Sequence, residues 1–78
     1  MRKLNSFIGK NVHIKLQHKL FGTQTARVKN FQPIFTESEF GFRTNSQFIS
    51  FQIDEMIYKE IENGVQINDQ NLYLFITE

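Results

Sequence analysis

The chain has 78 residues, no cysteine and a formal net charge of +1, so disulfides and cysteine-ligated metals are excluded and a single domain over residues 1–78 is expected. Its charge is nevertheless segregated, because residues 1–36 carry seven basic side chains and no acid, whereas residues 37–78 carry all eight acids and two bases. The two parts hold +7 and −6, a polarity that suggests a binding partner without naming its kind.

Alternation of apolar and polar residues in the first half predicts two strands. A single helical turn is predicted over Leu4–Ile8 before the first strand. The second strand begins at Gly22, and Pro33 is predicted to end it. The inward side chains of the two strands are Val12, Ile14, Leu16, Ala26 and Val28, and the outward ones are His13, Lys15, Gln17, Thr25, Arg27 and Lys29.

The middle of the chain predicts a hairpin around a polar four-residue turn, 44–47. This turn pairs Phe42 with Ile49 and Phe40 with Phe51. The acidic start of the segment that follows the hairpin favours a second helical turn, over residues 54–56.

The Asn-Gly pair at 63–64 leaves two registers for the next hairpin. A two-residue turn formed by that pair would mix acidic and apolar residues on one face. We therefore predict a three-residue loop, 62–64, with Gly64 left-handed and Ile61 opposite Val65.

A four-residue loop over 68–71 is predicted to follow, and it pairs Ile67 with Leu72. The chain is thus predicted to be all-β, with five to seven short antiparallel strands, a C-terminal hairpin and at most one-turn helices. The predicted core is Val12, Ile14, Leu16, Val28, Phe40, Phe42, Ile49, Phe51, Ile53, Ile61, Val65, Ile67, Leu72, Leu74 and Ile76.

The stretch Leu4–Phe31 resembles the opening of Sm-like and related SH3-type small barrels, with a helical turn, an alternating strand and a glycine, Gly22, near the start of the second strand. Residues 48–61 are similar to the later strands of such barrels. Uridine-binding members carry Asp and Asn after the second strand and Arg-Gly in a later one, whereas here Arg43 precedes a threonine. The resemblance implies a small SH3- or Sm-like barrel and does not extend to the RNA-binding motifs.

No catalytic, cofactor-binding or metal-binding residue is predicted, and the chain is not expected to be an enzyme. His13 and His18 are five residues apart and fall on opposite faces of one strand, unless the turn folds His18 back. Glu37 and Glu39 share a face, but an exposed acidic edge explains them without acid–base chemistry.

A basic stripe on the first two strands is the candidate nucleic-acid surface. Its residues are Lys15, Arg27, Lys29 and Phe31, with Phe31 as a ring on which a base could stack. The alternatives are that the charges form an ordinary solvated face and that Phe31 turns inward at Pro33.

The last strand is apolar on both faces, so Tyr73 and Phe75 point away from the core and are the candidate oligomer interface. Either the N-terminal segment covers them through Phe7 and Ile8, or another subunit does. The basic and acidic parts of the chain either meet between subunits, in a head-to-tail contact, or neutralise each other within one molecule.

These observations lead to two functional hypotheses. The first is a non-enzymatic binding or adaptor module that acts by surface contact, with itself or another protein as partner, as a homo-oligomer. The alternative is a small barrel that binds RNA or single-stranded DNA. The longest apolar run, Leu72–Ile76, is far below the ~20 residues of a membrane span, so a cytoplasmic protein without a membrane partner is expected.

Overall fold

The computed structural model describes residues 2–78, which form one short helix and eight strands. The elements are α1 (Arg2–Asn5), β1 (Val12–His18), β2 (Gly22–Val28), β3 (Ile34–Phe35), β4 (Glu39–Arg43), β5 (Phe48–Gln52), β6 (Ile57–Ile61), β7 (Gly64–Asn68) and β8 (Leu72–Thr77). They build two antiparallel sheets, of strand order β2-β1-β8-β7-β6 and β3-β4-β5. The all-β prediction is confirmed, and the sheets stay open rather than closing into a barrel. The predicted count of five to seven strands is too low by one, because the two-residue β3 pairs with β4.

The pattern of β1 and β2 is the one predicted from alternation. β1 pairs with β2 so that Val12 lies opposite Val28, and its other edge pairs with β8, where Ile14 lies opposite Ile76. All four of these side chains are buried, because the inward parity of each strand is apolar. β2 ends at Val28 rather than at Pro33, since Asn30 adopts a left-handed backbone (φ 54°) that turns the chain.

The β4–β5 hairpin has the predicted register. Phe42 pairs with Ile49, and Phe40 pairs with Phe51. The Thr44 hydroxyl accepts two backbone N–H groups within the turn, at 3.3 and 3.2 Å, and this local bonding holds the turn at the predicted length.

The predicted loop between β6 and β7 is wrong. Ile61 pairs with Gly64 across a two-residue turn, 62–63, and Gly64 does not have a positive φ. A Cβ at Gly64 would instead collide with the backbone carbonyl of Ile76, so glycine is required there by the close approach of β8. The resulting register turns Ile61 outward and brings Tyr58 onto the inner face, opposite Ile67.

The β7–β8 register differs from the prediction by two residues. Ile67 pairs with Leu74 instead of Leu72, so each side chain keeps its predicted face. The Asp69 carboxylate accepts the N–H groups of Asn71 and Leu72, both at 2.9 Å, and this side-chain turn shortens the loop.

One hydrophobic cluster fills the space between the two sheets. Its buried members are Leu4, Phe7, Val12, Ile14, Val28, Phe31, Phe40, Phe42, Ile49, Phe51, Val65, Ile67, Leu74 and Ile76. The predicted core residues Leu16, Ile53 and Leu72 are partly buried at its margin. Leu4 and Phe7 enter the cluster because α1 and the turn after it close one end of it. Residues 53–55 form a single hydrogen-bonded turn, one residue before the helical turn predicted at 54–56, in which the N–H groups of Glu55 (3.0 Å) and Met56 (3.1 Å) both donate to the Gln52 carbonyl.

The α1 helix is held by polar side chains on the inner face of β6. The Lys3 N–H donates to the Glu60 carboxylate (2.9 Å), and the Leu4 N–H donates to the Tyr58 hydroxyl (3.2 Å), which in turn donates to Glu60 (2.9 Å). The first N–H groups of a helix lack partners within it, so β6 caps α1 from outside. The Lys3 N–H and the Tyr58 hydroxyl lower the pKa of Glu60, and burial raises the pKa of Tyr58.

We predict that Gly64→Ala destabilises the protein much more than Gly22→Ala. The Gly64 substitution overpacks backbone against backbone and should cost about 3 kcal/mol. Gly22 has a φ of 87°, but a methyl group added there would meet no atom within 4 Å, so its substitution should cost only about 1 kcal/mol. Urea unfolding measures both, and equal losses would contradict the close approach of β7 and β8.

We also predict that the protein loses stability in acid because Glu60 becomes protonated. Since its pKa is lowered in the folded state, its contribution is complete above its ordinary pKa and disappears as the pH falls through the lowered value. Glu60→Gln should therefore flatten the decline of the thermal midpoint in acid. Glu62→Gln is the control, because Glu62 accepts the Lys3 ammonium through its backbone carbonyl (3.0 Å). An unchanged acid limb in Glu60→Gln would contradict the prediction.

Candidate functional site

The outer face of the five-stranded sheet presents three outward positions from each strand, in three cross-strand rows. The rows read Arg27, His13, Thr77, Gly64, Ile61; then Thr25, Lys15, Phe75, Gln66, Lys59; then Thr23, Gln17, Tyr73, Asn68, Ile57. We call this surface the platform. It includes no carboxylate, although the chain has eight acids.

Cations lie on both sides of the platform. Lys15 and Arg27 come from β1 and β2, and Lys59 comes from β6 at the opposite edge. All three side chains are exposed. Cations without a neighbouring carboxylate produce a positive potential over the surface, which attracts anionic partners.

The two aromatic side chains of the platform belong to β8, the middle strand of the sheet. Tyr73 is 47% exposed, and Phe75 is half-buried. Phe75 lies directly opposite Lys15, whose ammonium is 5.9 Å from the centre of the ring. Lys15 and Arg27 of the predicted basic stripe and the predicted aromatic pair are therefore parts of one surface.

A shallow cavity of about 550 Å³ lies on the platform. Its walls include Lys15, Arg27, His13, Phe75 and Ile61. The cavity thus places an aromatic ring and an aliphatic side chain beside three nitrogen-bearing side chains, an arrangement that offers both stacking and charge to one ligand.

Phe31 does not belong to the platform, so the prediction of an exposed ring there is wrong. It is fully buried, and its ring lies edge-on to Phe42 with centres 5.3 Å apart. The left-handed Asn30 reverses the parity of the chain after β2, and backbone bonds with Gly9 (2.8 Å) and Lys10 (2.9 Å) hold Phe31 in place. The alternative, in which Phe31 turns inward, is the observed one.

The N-terminal segment does not cover Tyr73. Phe7 is buried in the core, on the other side of the sheet, and Ile8 is 47% exposed. The sequence allowed either the N-terminal segment or another subunit to cover the outer side chains of the last strand. The first alternative is wrong.

Lys29 and Arg43 lie outside the platform, in a second groove that Arg27 and His13 also line. The sequence did not identify Lys59, Gln66 or Thr77 as part of a site. Their outward parity was available in the sequence, but only the correct registers of β6, β7 and β8 bring them beside Phe75.

The histidines occupy separate places. His13 is exposed on the platform, whereas the Nδ1 atom of His18 accepts the N–H groups of Leu20 (3.0 Å) and Phe21 (3.3 Å) at the β1–β2 turn. Across residues 2–78, no three or more His, Asp and Glu side chains are grouped so that they could hold a metal ion.

Comparisons with known proteins add no assignment. No family model, no curated protein and no solved structure matches the chain. Within residues 2–78, no helix combines the length and the apolar character needed to cross a membrane.

Proposed function

We propose that the protein is a non-enzymatic binding module that takes single-stranded nucleic acid, RNA or DNA, on the platform. The observation that carries the proposal is the position of Tyr73 and Phe75 at the middle of a carboxylate-free sheet face with cations on both sides. Unpaired bases stack on exposed aromatic rings, and lysine and arginine side chains neutralise the phosphates that flank them. In a duplex the base faces are hidden, so the platform is suited to single strands.

The fold and the place of action are part of the same proposal. The open pair of sheets is proposed to be a variant of the SH3- or Sm-like small barrel, on the support of the Leu4–Phe31 resemblance and of the two sheets that share one core. A chain without cysteine is compatible with a reducing compartment, which supports action in the cytoplasm.

We predict that a labelled single-stranded RNA binds the protein with an affinity that falls steeply with salt. If Lys15, Arg27 and Lys59 each contact one phosphate, the logarithm of the binding constant should fall with the logarithm of salt concentration with a slope of about −2. Fluorescence anisotropy at several salt concentrations measures the slope. The absence of binding at low salt would contradict the proposal.

The role of the ring at position 73 is tested with Tyr73→Leu and Tyr73→Phe. Leucine keeps an apolar side chain but offers no ring, and should weaken RNA binding about tenfold, since one stacked base contributes about 1–3 kcal/mol. Phenylalanine retains the ring and is the matched control. Tyr73 is half-exposed, so neither variant opens the core. Wild-type affinity in Tyr73→Leu would show that no base stacks there.

Self-association is the second candidate, and it is favoured by Ile57. This side chain is 62% exposed and lies in the same platform row as Tyr73. Two copies could bury these apolar groups face to face, as a two-fold contact in which the same surface serves both subunits. The charge segregation also allows the basic platform of one copy to meet an acidic surface of another.

We predict that, if the platform is a dimer interface, Ile57→Thr and Tyr73→Ser lower the weight-average mass in sedimentation equilibrium while both variants stay folded. Lys15→Gln separates the two kinds of contact, because removing a platform cation should leave a two-fold apolar contact intact and should weaken a contact between the basic platform and an acidic surface. A monomeric wild-type protein at the highest concentrations would contradict this candidate.

A further inference from the structure

A second groove, of about 730 Å³, lies where the end of β2 faces the turn between β4 and β5. It is separate from the centre of the platform but shares His13 and Arg27 with the platform's edge. We call it the cation groove, because Arg27, Lys29 and Arg43 all line it. The first two come from the larger sheet and its end, and Arg43 comes from the last position of β4 in the smaller sheet.

No carboxylate neutralises these three cations. The residues that line the groove include no Asp or Glu, and the ion pair present within residues 2–78 joins Lys10 to Glu78 at 3.6 Å, outside the groove. Three positive charges gathered around one concavity repel each other, and the repulsion is relieved when an anion enters. A packing role alone would not require the charges to converge from two sheets.

Two amide side chains of the groove use their oxygens as acceptors within the protein. The Oδ1 atom of Asn11 accepts the Asn30 N–H (3.2 Å), and the Oδ1 atom of Asn30 accepts the Gln32 side-chain amide (3.0 Å). Because these oxygens are already bonded, the amide groups of Asn11 and Asn30 have their N–H donors left to offer. Donors beside cations are the chemistry that a phosphate requires.

We propose that the cation groove binds a phosphate group, with Arg43, Lys29 and Arg27 as its charged contacts. Arg43 presents a planar donor fork that matches two phosphate oxygens, and Lys29 adds a point charge. The identification of this phosphate as part of a nucleic-acid strand rests on the proposed function. A strand that lies on the platform passes Arg27 and His13 at its edge, and its next phosphate enters the groove there.

The test uses pyrophosphate alone as the first probe and Arg43→Gln as the variant. In nitrogen–proton correlation spectra, pyrophosphate should shift the backbone amides of Lys29, Asn30 and Asn45 more than those on β6. Arg43→Gln should weaken this binding at least tenfold, while Lys19→Gln, a loss of the same charge at the exposed β1–β2 turn, outside both the platform and the groove, leaves it unchanged. Arg43 is exposed, and the spectrum of the variant itself reports whether the fold is kept. Shifts spread evenly over the basic surface, or equal binding by both variants, would overturn the proposal.

The second probe is the single-stranded RNA, and it separates the two proposals. Loss of one phosphate contact in Arg43→Gln should reduce the magnitude of the salt slope by about 0.7. An RNA that binds wild type and Arg43→Gln with equal affinity and slope would overturn the cation groove while the platform stands. Pyrophosphate binding that Arg43→Gln abolishes, in a protein that binds no RNA, would support the groove for free phosphate groups and contradict the proposed function.

Discussion

The antiparallel ladder between β1 and β8 is the constraint on which both the fold and the proposed binding surface depend. It joins residues 13–18 to residues 72–77 and so brings together the two ends of the chain. Such a pairing requires the closure of a long loop. The entropic cost of closure is offset only when the apolar inner faces meet in one core. The same ladder fixes the outer face, because Lys15 can lie over Phe75 only if Ile14 and Ile76 share the inner one.

This ladder also determines what the charge segregation becomes in three dimensions. The basic N-terminal strands form one edge of the platform, whereas part of the acidic chain gathers at the far turns of the smaller sheet. There the Ile53 N–H donates to the Ser38 carbonyl (2.8 Å) and brings the segment around Glu37 close to Asp54. Basic and acidic residues are therefore largely separated on the surface as they are in the sequence. They meet where the Glu60 carboxylate caps α1 and where Glu78 pairs with Lys10 at 3.6 Å.

Periodicity predicted the faces of the strands well and their partners less well. A period of two assigns each side chain to a face, so the inward positions of β1, β2, β4 and β5 follow from alternation alone. Register depends on turn geometry, and two short-range features misled the prediction. Asp69 shortens its loop with its own side chain, and the glycine at 64 serves a contact with Ile76 instead of a turn. Asn30 likewise sends Phe31 inward by a single left-handed residue that no composition rule would identify.

The sequence predicted the candidate site as two separate surfaces, because strand partners cannot be identified from local pattern. Lys15 and Arg27 were found as a basic stripe, and Tyr73 and Phe75 were found as an uncovered strand face. Their union is a long-range consequence of β1 pairing with β8, 60 positions away for Lys15 and Phe75. Local pattern carries no information about which strands become neighbours, so sequence reasoning treated one surface as two.

A structural explanation accounts for some of the platform but not for its centre. Charged side chains on edge strands discourage edge-to-edge aggregation, and this role suffices for Arg27 on β2 and Lys59 on β6. It does not suffice for Lys15, because β1 is paired on both sides, nor for Tyr73 on the middle strand. Burying a large apolar side chain stabilises a protein by about 1.5–3 kcal/mol. A chain this small has only one core and little stability to spare, so an exposed ring loses a contribution that matters. The proposed binding role for the centre of the face would account for this exposure.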